Sequence, residues 1–265
     1  LDDERAVGDV QNLAAIIVDP QGKGMETHWD KTAFALLTGA ILHTLFKVRK
    51  EEQRTANLTD VATLLSNPDM PVTDVLHEML DYEHTDNGVH PVVAAEARAM
   101  LNKAEEELSS VVSTAIANLS LYRDPIVARH IAKSDFRIDD LMDHEKPVTL
   151  YVVDRPSDAE RIRPLIRLIM TQIVRRRTEK MEFRDGRSVR HYKHRLLFMP
   201  DVFPALKKLA AIEDGLAFMA GYGIKAYIIC QDIQQLNAIY SREEKIIANC
   251  HIRIGYAPTK VETAE

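Results

Sequence analysis

Apolar residues follow two different patterns along the chain. Five short runs are rich in Val, Ile, Leu and Tyr and show little alternation, which is typical of parallel strands covered on both faces. They lie at residues 15–18, 148–153, 196–199, 226–230 and 252–256. Helical patterns over 161–177 and 205–219 separate the later runs, and Gly221-Tyr222-Gly223 ends the second helix. This order of elements predicts a doubly wound α/β layer.

The stretch between the first two predicted strands has only helical signals. Helices are predicted over 29–48, 58–65 and 72–82. After Pro91, apolar residues recur at spacings of three and four, which predicts one long amphipathic helix that ends near Tyr122. We therefore predict an all-α domain at 29–135, inserted into a sheet domain formed by 1–28 and 136–265.

Polar residues stand where four of the predicted strands end. These residues are Asp19, Asp154, Asp201 and Gln231. In an open parallel sheet, the carboxyl ends of the strands line the ligand site. Asp201 is a candidate Mg²⁺ ligand, and Gln231 is a candidate for orienting a water or contacting a terminal phosphate. The alternative is that each polar residue merely caps the exit of a strand.

The string DPQGKGM, residues 19–25, is similar to a phosphate-binding loop but is not one. Such a loop requires G-x-x-x-x-G-K-[ST], so that successive amides surround the phosphates and the hydroxyl reaches Mg²⁺. Here Gly24 follows Lys23 and the first glycine is absent. We interpret the string as a glycine-rich exit from a strand.

Charge is unevenly distributed. The chain has 34 Lys and Arg against 40 Asp and Glu, so its net charge of −6 carries no overall nucleic-acid signature. Residues 173–195, in contrast, are strongly basic and could neutralise DNA phosphates. The alternative is a solvated helix end followed by a turn. The DNA-binding candidates are Arg175, Arg176, Arg177, Lys180, Arg184, Arg187 and Arg190.

Composition limits the remaining classes. Two cysteines do not make a disulfide framework, which indicates a reducing compartment. No apolar run reaches the roughly 18 residues of a membrane span, so no span is expected in these residues. The chain begins without methionine and ends in the middle of a pattern, and we expect it to be a piece of a larger protein.

Several long stretches resemble the conjugative coupling proteins of type IV secretion systems, the TraG-like hexameric ATPases. The stretches are IIVDPQGKGMETHWDKTAFALLTGAILHTL (16–45), NLSLYRDPIV (118–127), HRLLFMPDVFPAL (194–206), LAFMAGYGIKAYIICQDIQQL (216–236) and NCHIRIGYAP (249–258). The resemblance implies a RecA-like parallel-sheet nucleotide-binding domain interrupted by an inserted all-α domain. It places Asp201 on the Walker B aspartate and Gln231 on a glutamine that senses nucleotide.

The resemblance also implies cofactors, partners and a location. The parent protein would use ATP and Mg²⁺, form a homo-hexamer and pump the DNA through the secretion channel. It would recruit the relaxase bound to the transferred DNA and contact channel components. Upstream transmembrane helices would anchor it at the cytoplasmic face of the bacterial inner membrane. Without a Walker A loop in these residues, no tight binding of ATP to this part is expected.

One departure from the family pattern opens a second hypothesis. The family usually has Glu after the Walker B aspartate, whereas this chain has Val202. The carboxylate that activates water is therefore absent, and no arginine finger is assigned. The alternative function is a non-hydrolysing docking or adaptor module with the same fold.

Overall fold

The computed structural model describes residues 5–179, 182–184, 187–189, 192–241 and 245–256, with the backbone alone for the two three-residue segments. The chain divides into two compact units, Leu1–Ser134 and Asp135–Glu265. The predicted division at 1–28, 29–135 and 136–265 remains a prediction.

The described part of the first unit consists of helices. They are α1 (Ala6–Val18), α2 (His28–Glu52), α3 (Leu58–Leu65), α4 (Val72–Asp81), α5 (Pro91–Leu101), α6 (Glu105–Leu119), a 3₁₀ turn (Ser120–Arg123) and α7 (Pro125–Ile131). The predicted helices over 29–48, 58–65 and 72–82 are confirmed.

Helix α2 is the centre of this unit. Thr27 and Asp30 form a reciprocal capping box at its start, which satisfies backbone donors that would otherwise be unpaired. Leu36, Leu37 and Ala40 are fully buried because α1, α5 and α6 all pack against α2. A helix that is apolar on most sides belongs in a core, and its neighbours supply that core.

Two predictions in this unit are wrong. Residues 15–18 are the last turns of α1 and not a strand, because Val10, Ala14 and Ile17 complete an apolar helical face that α2 covers. The long helix after Pro91 is two helices. Asn102 ends α5, and the three glutamates that open α6 favour a new helix N-terminus through its dipole.

The second unit mixes helices with short strands. Its elements are α8 (Asp140–Asp143), α9 (Ala159–Arg177), β1 (Glu182–Arg184), β2 (Arg187–Val189), β3 (Leu196–Phe198), a 3₁₀ turn (Phe203–Leu206), α10 (Ala210–Gly215), a 3₁₀ turn (Met219–Tyr222), β4 (Ile224–Ala226), α11 (Ile233–Tyr240) and α12 (Ile246–Asn249). Strands β1 and β2 form an antiparallel hairpin, and β3 pairs with β4 in parallel.

The sheet is smaller than predicted. Strand β3 and helix α9 confirm the predictions at 196–199 and 161–177, and β4 overlaps the predicted run at 226–230 only at its first residue. Residues 148–153 and 252–256 are not paired in any ladder within the described chain. Tyr151, Val153 and Tyr256 are more than four-fifths exposed there. Residues that suit a strand form one only beside a partner that accepts their hydrogen bonds.

The predicted helix over 205–219 is also interrupted. Lys207 has φ 60° and ψ −166°, a conformation incompatible with a helix, so a 3₁₀ turn precedes it and α10 follows it. Gly223 has φ 79°, and a β-carbon at this position would collide with the Tyr192 ring. Glycine is therefore required where the chain turns into β4, as the Gly-Tyr-Gly signal predicted.

Candidate functional site

The two parallel strands end at the same edge. Leu196 pairs with Ile224 and Phe198 with Ala226. Beyond the ladder, the Tyr227 N–H donates to the Phe198 carbonyl at 2.8 Å. Of the predicted site residues, Asp201 follows β3 and Gln231 follows β4.

The strand-end loop, residues 199–209, remains attached to the chain that follows β4. The Phe203 N–H donates to the Ile229 carbonyl at 2.8 Å. Asp201 precedes Phe203 by two residues, and Gln231 follows Ile229 by two. The structure thus brings the predicted acid and the predicted amide to one edge of the strand pair. Both side chains are exposed.

Val202 occupies an unusual backbone conformation within this loop. Its φ of 53° and ψ of 54° lie in the left-handed region, which a β-branched residue rarely adopts. The turn delivers Phe203 into the core, where its side chain is fully buried. The cost of such a conformation is about 1–3 kcal/mol, so the surrounding contacts must hold it in place.

The amide side of the site begins a helix. Asp232 caps α11, because its Oδ1 accepts the Gln234 N–H at 2.9 Å. Gln231 therefore stands directly before the N-cap of this helix, at a bend in the chain that follows β4.

The other two predicted strand-end residues are placed differently. Asp19 follows helix α1 in the first unit, and its carboxylate accepts the N–H groups of Lys23 at 2.9 Å and Gly24 at 2.6 Å. It therefore closes its own glycine-rich loop, and the expected strand exit is wrong. Asp154 is exposed after the unpaired segment 148–153.

The basic candidates are partly neutralised within the second unit. Arg176 bonds Asp139 and Glu179 at 3.1 Å each, and Arg177 bonds Asp139 at 2.9 Å and Asp143 at 2.7 Å. These two guanidinium groups thus fasten α9 to both ends of α8, at its N-cap Asp139 and its last residue Asp143.

The remaining basic candidates are less engaged or less fully described. Arg175 is exposed. Arg184 and Arg187 oppose each other in the hairpin, where only the backbone is described. Lys180 and Arg190 lie outside the described residues. Binding of DNA by this set remains a prediction.

Two residues that contact the strand-end loop were missed by sequence reasoning. Arg167 lies on α9 and Tyr240 on α11, and both are nearly fully buried. They reach the loop across sequence separations of 31 to 39 residues. A helical pattern marks Tyr240 as a core position, but no local signal links it to Asp201.

A family profile described as type IV secretory system conjugative DNA transfer matches residues 1–265. The chain belongs to this family. The match extends over the entire chain.

Family relatives agree with the profile. The chain is 52% identical over 265 residues to the conjugal transfer protein TraG of Escherichia coli, covering 99% of this chain and 42% of TraG. It is 27% identical over 262 residues to VirD4 of Agrobacterium fabrum, covering 98% of this chain and 36% of VirD4. The chain thus spans about two-fifths of the length of these curated relatives.

Solved coupling proteins share the fold. The plasmid coupling protein TrwB in complex with ADP and Mg²⁺ matches with a TM-score of 0.63 at 19% identity, over 93% of this chain and 52% of that one. TrwB with a non-hydrolysable GTP analogue matches with a TM-score of 0.64 at 20% identity, over the same shares of both chains. Among the described residues of this family member, no helix is both long and apolar enough to cross a membrane.

Proposed function

We propose that this chain contributes to the ATP-driven motor of a conjugative coupling protein. The observation that carries the proposal is the strand-end geometry, in which Asp201 and Gln231 leave one edge of a parallel strand pair. Nucleotide-hydrolysing sheets place a metal-binding acid and a water- or phosphate-contacting amide at this edge. The fold shared with a coupling protein that binds ADP and Mg²⁺ supports the same assignment.

The residues present fit a magnesium ion. Mg²⁺ prefers carboxylate oxygen and usually keeps several waters while it bridges substrate phosphates. Asp201 presents an exposed carboxylate, and within the described residues no side chain or backbone group is bonded to it. No group of three or more acidic, His or Cys side chains converges on a metal position in the described chain. This arrangement suits a Mg²⁺ ion that has Asp201 as its one protein ligand and takes its remaining ligands from phosphate and water.

Each residue then has a stated role. Asp201 would hold the Mg²⁺, which neutralises charge on the phosphates when bound. Gln231 would orient the attacking water or contact the terminal phosphate with its amide. Val202 supplies no base, so this chain contributes positioning and charge at this edge. The RecA-like character of the nucleotide domain, with the helical unit as its insertion, is part of the same proposal.

The partners and location are proposed on family membership. The helical unit would meet the relaxase–DNA substrate and channel components. The full-length protein would act as a homo-hexamer at the cytoplasmic face of the inner membrane. Membership of the conjugative DNA transfer family supports a role in DNA transfer, and the partners and the location are inferred from that role.

Asp201→Asn tests the motor assignment in the full-length protein. We expect DNA-stimulated ATP turnover to fall about 100-fold, because an amide is a poor ligand for Mg²⁺ and leaves phosphate charge uncompensated. Steady-state phosphate release measures the effect. Asp214→Asn is the matched control, since this exposed carboxylate lies on α10 of the same unit. Equal loss in both variants, or none in Asp201→Asn, contradicts the proposed role.

Val202 favours the second candidate, a non-hydrolysing adaptor. Val202→Glu would restore a carboxylate beside Asp201, and general-base catalysis typically contributes 10²–10⁴-fold. We expect turnover to rise at least about tenfold in the full-length protein, with Val202→Gln as the uncharged control of equal length. No turnover in the wild type together with recovery in Val202→Glu favours the adaptor. Comparable turnover in both shows that position 202 does not limit hydrolysis.

A further inference from the structure

Three side-chain contacts converge on the strand-end loop from two helices. From α9, Arg167 Nη1 donates to the Leu206 carbonyl at 2.7 Å. From α11, the Tyr240 hydroxyl donates to the Lys207 carbonyl at 3.2 Å and accepts the Leu209 N–H at 3.0 Å. One phenol thus satisfies a backbone acceptor and a backbone donor of the same loop.

The loop is strained at the point where these contacts converge. Lys207 has φ 60° and ψ −166°, a region essentially reserved for glycine. Val202 and Lys207, neither of which is glycine, thus both adopt positive φ within a few positions of Asp201. Strain of this kind persists only where surrounding contacts over-determine the backbone.

Aromatic packing joins the same helix to the start of the loop. The rings of Phe203 and Tyr240 stack with centroids 5.7 Å apart and an interplanar angle of 11°. Phe203 is fully buried and Tyr240 is 3% exposed. Through Tyr240, helix α11 thus contacts the loop at Phe203 and again at Lys207 and Leu209. The same helix begins directly after Gln231 and Asp232.

We propose that Tyr240 and Arg167 are positioning residues that clamp the strand-end loop and couple Asp201 to Gln231 through α11. The clamp holds the strained backbone that presents Asp201. Because Tyr240 and the capped start of α11 belong to one helix, a shift of the loop moves the amide of Gln231 as well. The clamp itself rests on the described contacts, and its effect on turnover rests on the proposed motor function.

The test uses Tyr240→Phe in the full-length protein. This change keeps the ring and its stacking but removes the hydroxyl. We expect amide hydrogen exchange over residues 203–209 to be about tenfold faster, because two hydrogen bonds to the loop are lost. We also expect kcat for ATP to fall about tenfold while KM changes less than about twofold, since Tyr240 positions the loop and does not bind substrate.

A rescue variant shows whether Tyr240 acts by holding the strained backbone at Lys207 or only by stabilising the unit in general. Lys207→Gly removes the steric penalty at φ 60°, so the loop should keep its conformation without the phenol. Adding Lys207→Gly to Tyr240→Phe is expected to return exchange and kcat to within about threefold of wild type. Tyr227→Phe is the matched control, because this tyrosine is 44% exposed and should change neither readout.

The outcomes are distinguishable. Faster exchange with lower kcat, both reversed by Lys207→Gly, supports the clamp. Unchanged exchange in Tyr240→Phe overturns it, and faster exchange with unchanged kcat overturns the coupling to the site. If the full-length wild type does not turn over ATP, the motor proposal fails, and hydrogen exchange alone then decides whether the clamp exists.

Discussion

Acidification from pH 7 to pH 4 is expected to destabilise the helical unit by about 3 kcal/mol through a buried histidine pair. His43 is fully buried and His84 is 6% exposed, and their ring nitrogens Nδ1 and Nε2 are 2.9 Å apart. Burial lowers the pKa of each imidazole to about 4, assisted by the nearby positive charge that a second protonated histidine would add. The pair is therefore neutral at pH 7.

The hydrogen bonds define which nitrogens carry protons. His84 Nδ1 accepts the His90 backbone N–H at 3.2 Å, so the proton of neutral His84 is on Nε2. That N–H donates to His43 Nδ1, which leaves the His43 proton on Nε2, facing Glu78 Oε1 at 3.6 Å. Protonating either ring places a second donor against an existing donor and breaks this chain of bonds.

Other charged groups around the pair only partly offset this effect. Glu78 favours a charged His43, but Lys47 is bonded to Glu78 and opposes it. Lys50 and His90 disfavour charge on His84. Desolvation is the largest cause for both imidazoles, so their pKa values remain below the ordinary 6.5.

The direction of the pH effect follows from these pKa values. The unfolded chain binds protons near pH 6.5 and the folded chain only near pH 4. The stabilisation by the neutral pair is therefore fully present above pH 6.5 and is lost as pH falls from 6.5 to 4. Since the two sites share one hydrogen bond, their contributions do not simply add.

Urea unfolding between pH 4 and 7 measures this loss. Trp29 is the single tryptophan and lies in the helical unit, so its fluorescence reports that unit. His43→Leu combined with His84→Phe should flatten the pH dependence, whereas His77→Gln, at an exposed position on α4, should not change it. An equal pH slope in the double variant would contradict the assignment to this pair.

Gly39→Val is expected to lower the free energy of unfolding of the helical unit by about 3 kcal/mol. Gly39 lies at the centre of α2, where an added β-carbon would stand 2.9 Å from the Glu96 β-carbon on α5 and 3.0 Å from Met79 Cε on α4. The methionine end can move aside, but the Glu96 β-carbon is fixed to its helix. The two helices must therefore separate, which opens a core with no unused space.

Gly8→Val provides the matched control for this change. Gly8 lies in helix α1, and an added β-carbon there would meet no atom within 4 Å. Both variants replace a helical glycine by valine, so the additional loss of stability in Gly39→Val reports the packing at Gly39. Urea unfolding followed by Trp29 fluorescence gives both values. Equal destabilisation would show that helix contact at Gly39 is not limiting.

Local sequence signals predicted those elements that a short stretch of chain specifies without long-range contacts. The helical patterns over 29–48 and 58–65 predicted helices α2 and α3, and the structure adds the capping boxes at Thr27 and Asn57 that begin them. The run at 15–18 was misassigned, since four apolar residues fit a buried strand and a buried helix equally well. The earlier apolar positions of α1 and the packing against α2 decide between them.

The candidate site likewise has one part that the sequence identified and another that only the tertiary structure decided. The sequence alone identified Asp201 and Gln231 as polar residues that follow apolar runs, and it determined membership of the family. Tertiary structure decided that the two runs pair, that Val202 and Lys207 adopt positive φ, and that Arg167 and Tyr240 hold the loop between them. These features depend on contacts between residues more than 20 positions apart, and no local periodicity encodes such contacts.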